Sequence, residues 1–327
     1  MTDSSQVRRA RVAVVTGGSA GVGRATVVEL ARHGWDVGVI ARGTAGLAGA
    51  KTDVEALGRR CHTVAADVAD LDALERAAAD IEQALGPIDL WVNNAFVGAL
   101  RTFWDTDPQT YRRITEVTYF GQVNGTRVAL GLMRPRDRGV IVNVSSALAY
   151  RGIPLQSAYC GAKHAIKGFT ESVITELMHE KSNVRVCLAT LPGLNTPQFD
   201  WNDNAMPGHP QPVAPVFQPE VAARAIRFLG EHPRRSMWIG VSSAYTVLGN
   251  RIAPAFLDRY LARTGFDGQV TDHGPRRDVN VFTPSDEDED AGAHGMFDET
   301  AHPSDPWSAV SMAVWSLLDR LPFLGGR

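Results

Sequence analysis

Short apolar, β-branched runs recur along this chain, and each is followed by a longer stretch with helical periodicity. The runs cover residues 12–16, 36–41, 61–66, 88–93, 139–145, 184–190 and 237–241. They are nearly all apolar rather than alternating, so they read as strands buried on both faces. The helical stretches between them include 23–33, 71–85, 108–134, 157–181 and 219–229. Pro219 suits a first helical turn, where its missing N–H is harmless. Repeated strand–helix alternation requires right-handed crossovers and predicts an α/β chain with a doubly wound parallel sheet of about seven strands flanked by helices.

Composition excludes several classes. The chain has 327 residues, 44% hydrophobic and 21% charged, which supports an ordinary globular core. A formal net charge of −3 supplies no basic field for nucleic acid. Cys61, Cys160 and Cys187 are an odd, scattered set without metal-ligand neighbours, which predicts no metal and fits a reducing cytoplasm. The first residues lack the apolar core of a signal peptide, and no run reaches the roughly 18 apolar residues of a membrane span.

Two stretches break the rhythm. Residues 192–219 contain seven prolines, with Phe199, Trp201, Met206 and Phe217 among them. That density forbids a long helix and predicts an irregular flap with apolar content. Beyond about residue 265 the pattern dissolves into a polar segment holding Ser-Asp-Glu-Asp-Glu-Asp at 285–290, expected to be a mobile or loosely packed tail. The expected organisation is a catalytic domain over 1–242, a packing helix over 243–265, and an acidic tail over 266–327 that ends in an apolar segment. On the helix, Tyr245, Leu248, Ile252, Phe256 and Tyr260 form a stripe read as packing. The terminal run 307–324 suits a membrane surface or a neighbouring subunit. Asp319 and Arg320 interrupt it and basic residues are scarce, which favours the subunit.

After the first strand comes Thr-Gly-Gly-Ser-Ala-Gly-Val-Gly, residues 16–23. Gly17, Gly21 and Gly23 permit a tight turn and close approach to a pyrophosphate, while the helix that follows points its N–H groups there. The spacing resembles the cofactor loop of the short-chain dehydrogenases/reductases, and further motifs follow in that family's order. These are Asp67-Val68, Asn93-Asn94-Ala95, Ser145-Ser146, Tyr159-Cys160-Gly161-Ala162-Lys163 and Pro192-Gly193. The resemblance covers roughly residues 10–240 and implies a Rossmann-like fold, a nicotinamide cofactor and a homo-oligomer. It implies that Asp67 holds the adenine amino group, with Val68 beside it, and that Asn94 and Ala95 line the adenosine ribose. Ser19, Val22, Pro192, Gly193 and Thr196 are also expected at the cofactor. The end of the second strand carries Ala41-Arg42 in place of a carboxylate, so Arg42 is expected to grip a 2′-phosphate, and NADP(H) is the expected cofactor.

Tyr159 and Lys163 are four residues apart on an expected helix, hence on one face. An ammonium beside the phenol is expected to depress its pKa, so that Tyr159 exchanges the alcohol proton while hydride moves. The resemblance gives Lys163 a second task at the nicotinamide ribose. It makes Ser146, thirteen residues before Tyr159, the group that orients the substrate oxygen. Three positions depart from the family. Thr118 stands where an asparagine steadies a helix kink, Phe96 replaces a glycine after Asn-Asn-Ala, and the 192–196 loop is one residue short. The expected function is carbonyl–alcohol interconversion on an apolar, medium or bulky small molecule. A catalytically weak NADP(H)-binding regulator and an epimerase or dehydratase stay open beside it.

Overall fold

The computed structural model describes residues 9–272 and 279–319. Seven parallel strands form the central sheet: β1 (Arg11–Thr16), β2 (Trp35–Ala41), β3 (Cys61–Ala65), β4 (Ile88–Asn93), β5 (Val140–Ser146), β6 (Arg185–Leu191) and β7 (Ser236–Trp238). Their order across the sheet is β7-β6-β5-β4-β1-β2-β3. The order reverses between β1 and β4, and a doubly wound sheet opens its ligand crevice at that point. Strands β1, β2 and β4 are buried on both faces, as their apolar runs require. The edge strand β3 is only half-buried, which corrects the expectation for 61–66.

Helices cover both faces: α1 (Gly21–Arg32), α2 (Thr44–Ala56), α3 (Leu71–Leu85), α4 (Pro108–Thr115), α5 (Gly121–Met133), α6 (Ser157–His179) and α7 (Pro219–Glu231). One apolar cluster joins α1, α2 and α7 to the sheet through Val27, Leu30, Val54 and Ile226. The other joins α3, α5 and α6 through Leu74, Ile81, Met133 and Leu177. Burying each such side chain contributes roughly 1.5–3 kcal/mol, which fixes the sheet between its two layers. Helix α3 has Asp70 as N-cap, its carboxylate accepting from Ala73 N, and Gly86 as C-cap at φ 101°.

The long helix expected over 108–134 is interrupted. A π-turn at Glu116–Phe120 separates α4 from α5. Wide turns of this kind recur beside functional sites, where they re-aim a helix. Residues 241–264 form two helices, α8 (Val241–Ile252) and α9 (Pro254–Thr264), because Pro254 cannot continue α8. Val241 therefore opens a helix and does not end a strand. The stripe Tyr245, Leu248, Ile252, Phe256 and Tyr260 is exposed, from 46% at Leu248 to 82% at Ile252. It is not core packing within this chain. The flap is irregular, as expected, apart from small ties: Gly193–Leu194 pairs with Val216–Phe217, Ala99–Leu100 pairs with Asp203–Asn204, and a helical turn spans Gln198–Trp201.

The acidic tail is the largest departure, because residues 279–302 lie packed along the body. Gly21 N donates to Gly292 O, Ala45 N to Glu287 O, and Gly46 N to Asp286 O. Arg24, 4% exposed, holds Asp290 at 3.0 Å and Asp53 at 2.8 Å. Charge patterning alone reads such a segment as solvated; here buried arginine and free helix N–H groups give it partners. The apolar terminal run forms α10 (Pro306–Leu318), which docks on its own chain. Trp307 Nε1 donates to Trp238 O, and Asp319 pairs with Arg234 and His232. Residues 320–327 of that run lie outside the described residues.

Candidate active site

The turn after β1 shows why its glycines are needed. Gly17 has φ 64°, and a Cβ there would meet Ala95 Cα at 2.8 Å. A Cβ on Gly23 would stand 1.9 Å from Gly17 O. The turn is therefore closed from inside by Gly23 and held from outside by the loop after β4. Asn94 completes this, its amide donating to Thr16 O and Gly17 O at 3.2 and 3.1 Å. Thr196 faces the same turn, since a Cβ on Gly21 would meet Thr196 Cβ at 3.3 Å.

A cavity of about 480 Å³ opens above this turn. Gly17, Ser19, Gly21, Val22, Arg42, Asp67, Val68, Asn94, Ala95, Ser146, Tyr159, Lys163, Pro192, Gly193 and Thr196 line it, so the expected residues converge on one space; Gly23 stands behind it as support. These residues fit a dinucleotide. The glycine turn has no room for a Cβ, and α1 begins at the cavity with its N–H end inward.

The catalytic trio is set by α6 and β5. A buried polar network clamps the two together. Asn93 Nδ2 donates to Asn143 Oδ1 at 2.8 Å, and Asn143 Nδ2 donates to Thr170 Oγ1 at 2.9 Å. Thr126 on α5 and Trp91 on β4 join the same network. With α6 fixed at Thr170, its first turns bring Tyr159 and Lys163 over the end of β5, where Ser146 lies. The Ser146 hydroxyl favours the charged form of the Tyr159 phenol, and Ser146 Oγ accepts from Leu148 N at 3.2 Å.

Lys163 is 1% exposed, and its ammonium donates to Val144 O at 2.9 Å. It lies 5.4 Å from the ring centres of both Tyr159 and Phe96. Burial pushes its pKa down to about 7, because the low-dielectric surroundings penalise the charged form. Burial also raises the Tyr159 phenol, against the opposing effect of the Ser146 hydroxyl. The depressed phenol expected from the Tyr–Lys spacing is thus outweighed by desolvation in the chain itself. Phe96 packs against Tyr159 with ring centres 5.7 Å apart, so it forms a wall beside the phenol. Thr118, fully buried in the π-turn, accepts from Val97 N at 3.2 Å and donates to Val97 O at 3.0 Å. It ties the helix to the loop after β4.

Two expected cofactor residues have other partners. Asp67 pairs with Arg113 on α4, its other oxygen accepting from Ala69 N. Arg42 donates to the carbonyls of Asn280, Val281 and Phe282, and burial lowers its pKa. Asn280, Pro284 and Asp286 also line the cavity. Sequence reasoning missed all three, although Gly43 and Gly46 at the start of α2 offered a signal. A Cβ at either would overlap the Asp286 carboxylate.

The short chain dehydrogenase family model matches residues 11–206, and the chain belongs to that family. Among curated relatives, it is 31% identical over 297 residues to the uncharacterized oxidoreductase YxnA of Bacillus subtilis, covering 88% of this chain and 80% of that one. It is 30% identical to 3-dehydrosphinganine reductase of Danio rerio, over 65% of this chain and 66% of the relative. Among solved structures, acetoin dehydrogenase YohF from Salmonella typhimurium superposes with a TM-score of 0.61 at 26% identity, covering 70% of this chain and 94% of that one. A short chain dehydrogenase from Mycobacterium paratuberculosis bound to NAD, 24% identical, shares the fold with a TM-score of 0.63 over 71% of this chain and 96% of its own. The chain is thus an oxidoreductase of a nicotinamide-binding fold. Among the described residues no helix is long and apolar enough to cross a membrane.

Proposed function

We propose that this chain interconverts a carbonyl and an alcohol on an apolar, medium or bulky small molecule, using NADP(H). The observation that carries the reading is the convergence of Ser146, Tyr159 and Lys163 with the glycine turn on one cavity. When bound, the nicotinamide supplies or accepts the hydride. Ser146 orients the substrate oxygen by a hydrogen bond, and Tyr159 delivers or removes the proton at that oxygen. Lys163, buried against both rings, biases the phenol and would hold the nicotinamide ribose. Phe96, Phe199, Trp201, Tyr245, Leu257 and Leu261 line the rest of the cavity and support an apolar substrate.

For the cofactor, the NADP(H) reading is supported by Arg42 and by the absence of a carboxylate at the end of β2. Gly17, Ser19, Gly21, Val22 and Thr196 would hold the phosphates, and Asp67, Val68, Asn94 and Ala95 the adenosine. The free thiols Cys61, Cys160 and Cys187 support a cytoplasmic setting. The exposed stripe on α8 and α9 supports a homo-oligomer.

A panel of ketones and aldehydes, followed at the reduced-nicotinamide absorbance with NADPH and NADH, tests the reading. Oxidation of NADPH dependent on an apolar carbonyl compound is the expected result. Tight NADPH binding without turnover of any carbonyl would leave a binding protein instead.

A further inference from the structure

Arg42 is not the only charge at the adenosine end of the cavity. Asp67 is paired with Arg113, and the C-terminal segment brings a further carboxylate. Asp286 is 5% exposed and lines the cavity, and its Oδ2 has no hydrogen-bond partner among the described residues. Its position is tightly defined. A Cβ on Gly43 would fall 2.0 Å from Asp286 Oδ1, and one on Gly46 2.3 Å from Oδ2 and 2.9 Å from Ser19 Cβ. The carboxylate thus sits on the glycines that open α2, beside Ser19 of the cofactor turn.

Glu287 follows at the same helix end, where Thr44 N donates to its Oε2 at 3.1 Å. The first N–H groups of α2 at Thr44, Ala45 and Gly46 all donate to these two acidic residues. Those groups and the Arg42 guanidinium are the donors that a 2′-phosphate would use. In this structure they are held by the carboxylate of Glu287 and by the backbone carbonyls of Asn280, Val281, Phe282, Asp286 and Glu287. Arg24 anchors the segment through Asp290, so the docking has its own charge pair away from the cavity.

We propose that Asp286, assisted by Glu287, is a cofactor-specificity residue delivered by the C-terminal segment. It opposes the preference for a 2′-phosphate that Arg42 confers. Two like charges in this pocket repel, whereas the unpartnered Asp286 oxygen can accept from a free 2′-hydroxyl. The role of an acidic residue at the end of β2 is thereby supplied from far along the chain. The inference rests on the reading that the Ser19–Arg42 end of the cavity takes the adenosine ribose.

Binding of NADPH and NADH is measured by nicotinamide fluorescence for the wild type, D286N/E287Q and R42A. The near-isosteric double variant keeps the packing, and thermal unfolding confirms that it is folded. The expected result is a shift of at least tenfold in the NADPH-to-NADH affinity ratio toward NADPH in D286N/E287Q, and a shift toward NADH in R42A. In the wild type, NADPH but not NADH should speed hydrogen exchange at residues 280–290, because the phosphate displaces the acidic segment. A ratio unchanged in D286N/E287Q but altered in R42A overturns the proposal and leaves the reading of Arg42 standing. A ratio unchanged in both variants overturns the two together.

Discussion

The packing of the acidic segment makes a graded prediction at Asp290. Arg24 is buried, and four groups hold its guanidinium: Asp53, Asp290, Ser19 O and Gly46 O. Asp290→Ala removes one of them, a bidentate one. A hydrogen bond to a charged group contributes about 1.5–3 kcal/mol, and an exposed ion pair about 0–1. Asp290 is 36% exposed while Arg24 keeps Asp53, so the loss falls between these cases, at roughly 1–2 kcal/mol. With tenfold per ~1.4 kcal/mol, the segment should open roughly 5- to 30-fold more often. Three amides report it directly: Gly21 N, Ala45 N and Gly46 N, which donate to Gly292, Glu287 and Asp286 carbonyls. They belong to first helical turns and have no intrahelical acceptor, so the segment is what protects them. Hydrogen exchange resolved to single amides should show these three accelerating, with the strands of the sheet unchanged. Unchanged protection at all three would refute the claim that the Arg24–Asp290 pair holds the segment down.

Lys163 should write its burial into the pH dependence of stability. Its folded pKa of about 7 lies below the ordinary 10.5, so between these values the unfolded chain carries a proton that the folded chain lacks. Stability from this group therefore rises with pH across that window and its penalty is full below it. Urea unfolding of Lys163→Met, compared with the wild type from pH 6 to 10, should show the variant lacking that rise; parallel curves would contradict the buried ammonium. Asn143→Ala should cost about 1–3 kcal/mol, because Asn93 and Thr170 lose a buried partner. An unchanged urea midpoint would remove the network as the clamp on α6.

Much of the fold could be read from local chemistry, and the departures share a cause. Strands β1, β2 and β4 were readable because a parallel central strand is apolar on both faces, a pattern with few alternatives. Helix α2 is hard to read from sequence because its first six residues, Thr-Ala-Gly-Leu-Ala-Gly, carry two glycines that weaken helical propensity. Gly46 answers to Asp286 and Gly49 to Asp290, each more than two hundred residues away in the sequence, and no local rule registers such contacts. The same reason hid the acidic segment. Its charges look solvated until Arg24 and the start of α2 are placed beside them. At the site, the loop and the Ser146, Tyr159 and Lys163 set were readable as ordered motifs. The state of the phenol was not, since spacing reports a neighbouring ammonium but not the burial that raises one group and lowers the other.

The central claim is that Tyr159 moves the proton in a hydride-transfer reaction. Tyr159→Phe keeps the ring against Phe96 and removes the hydroxyl on the cavity side. With the apolar carbonyl substrate found in the panel, single-turnover oxidation of bound NADPH should slow by at least ~10²-fold, the lower bound for general acid–base catalysis. Cofactor affinity should stay within about twofold, because the glycine turn and Lys163 remain in place. Single-turnover oxidation at a rate near the wild type would contradict the account.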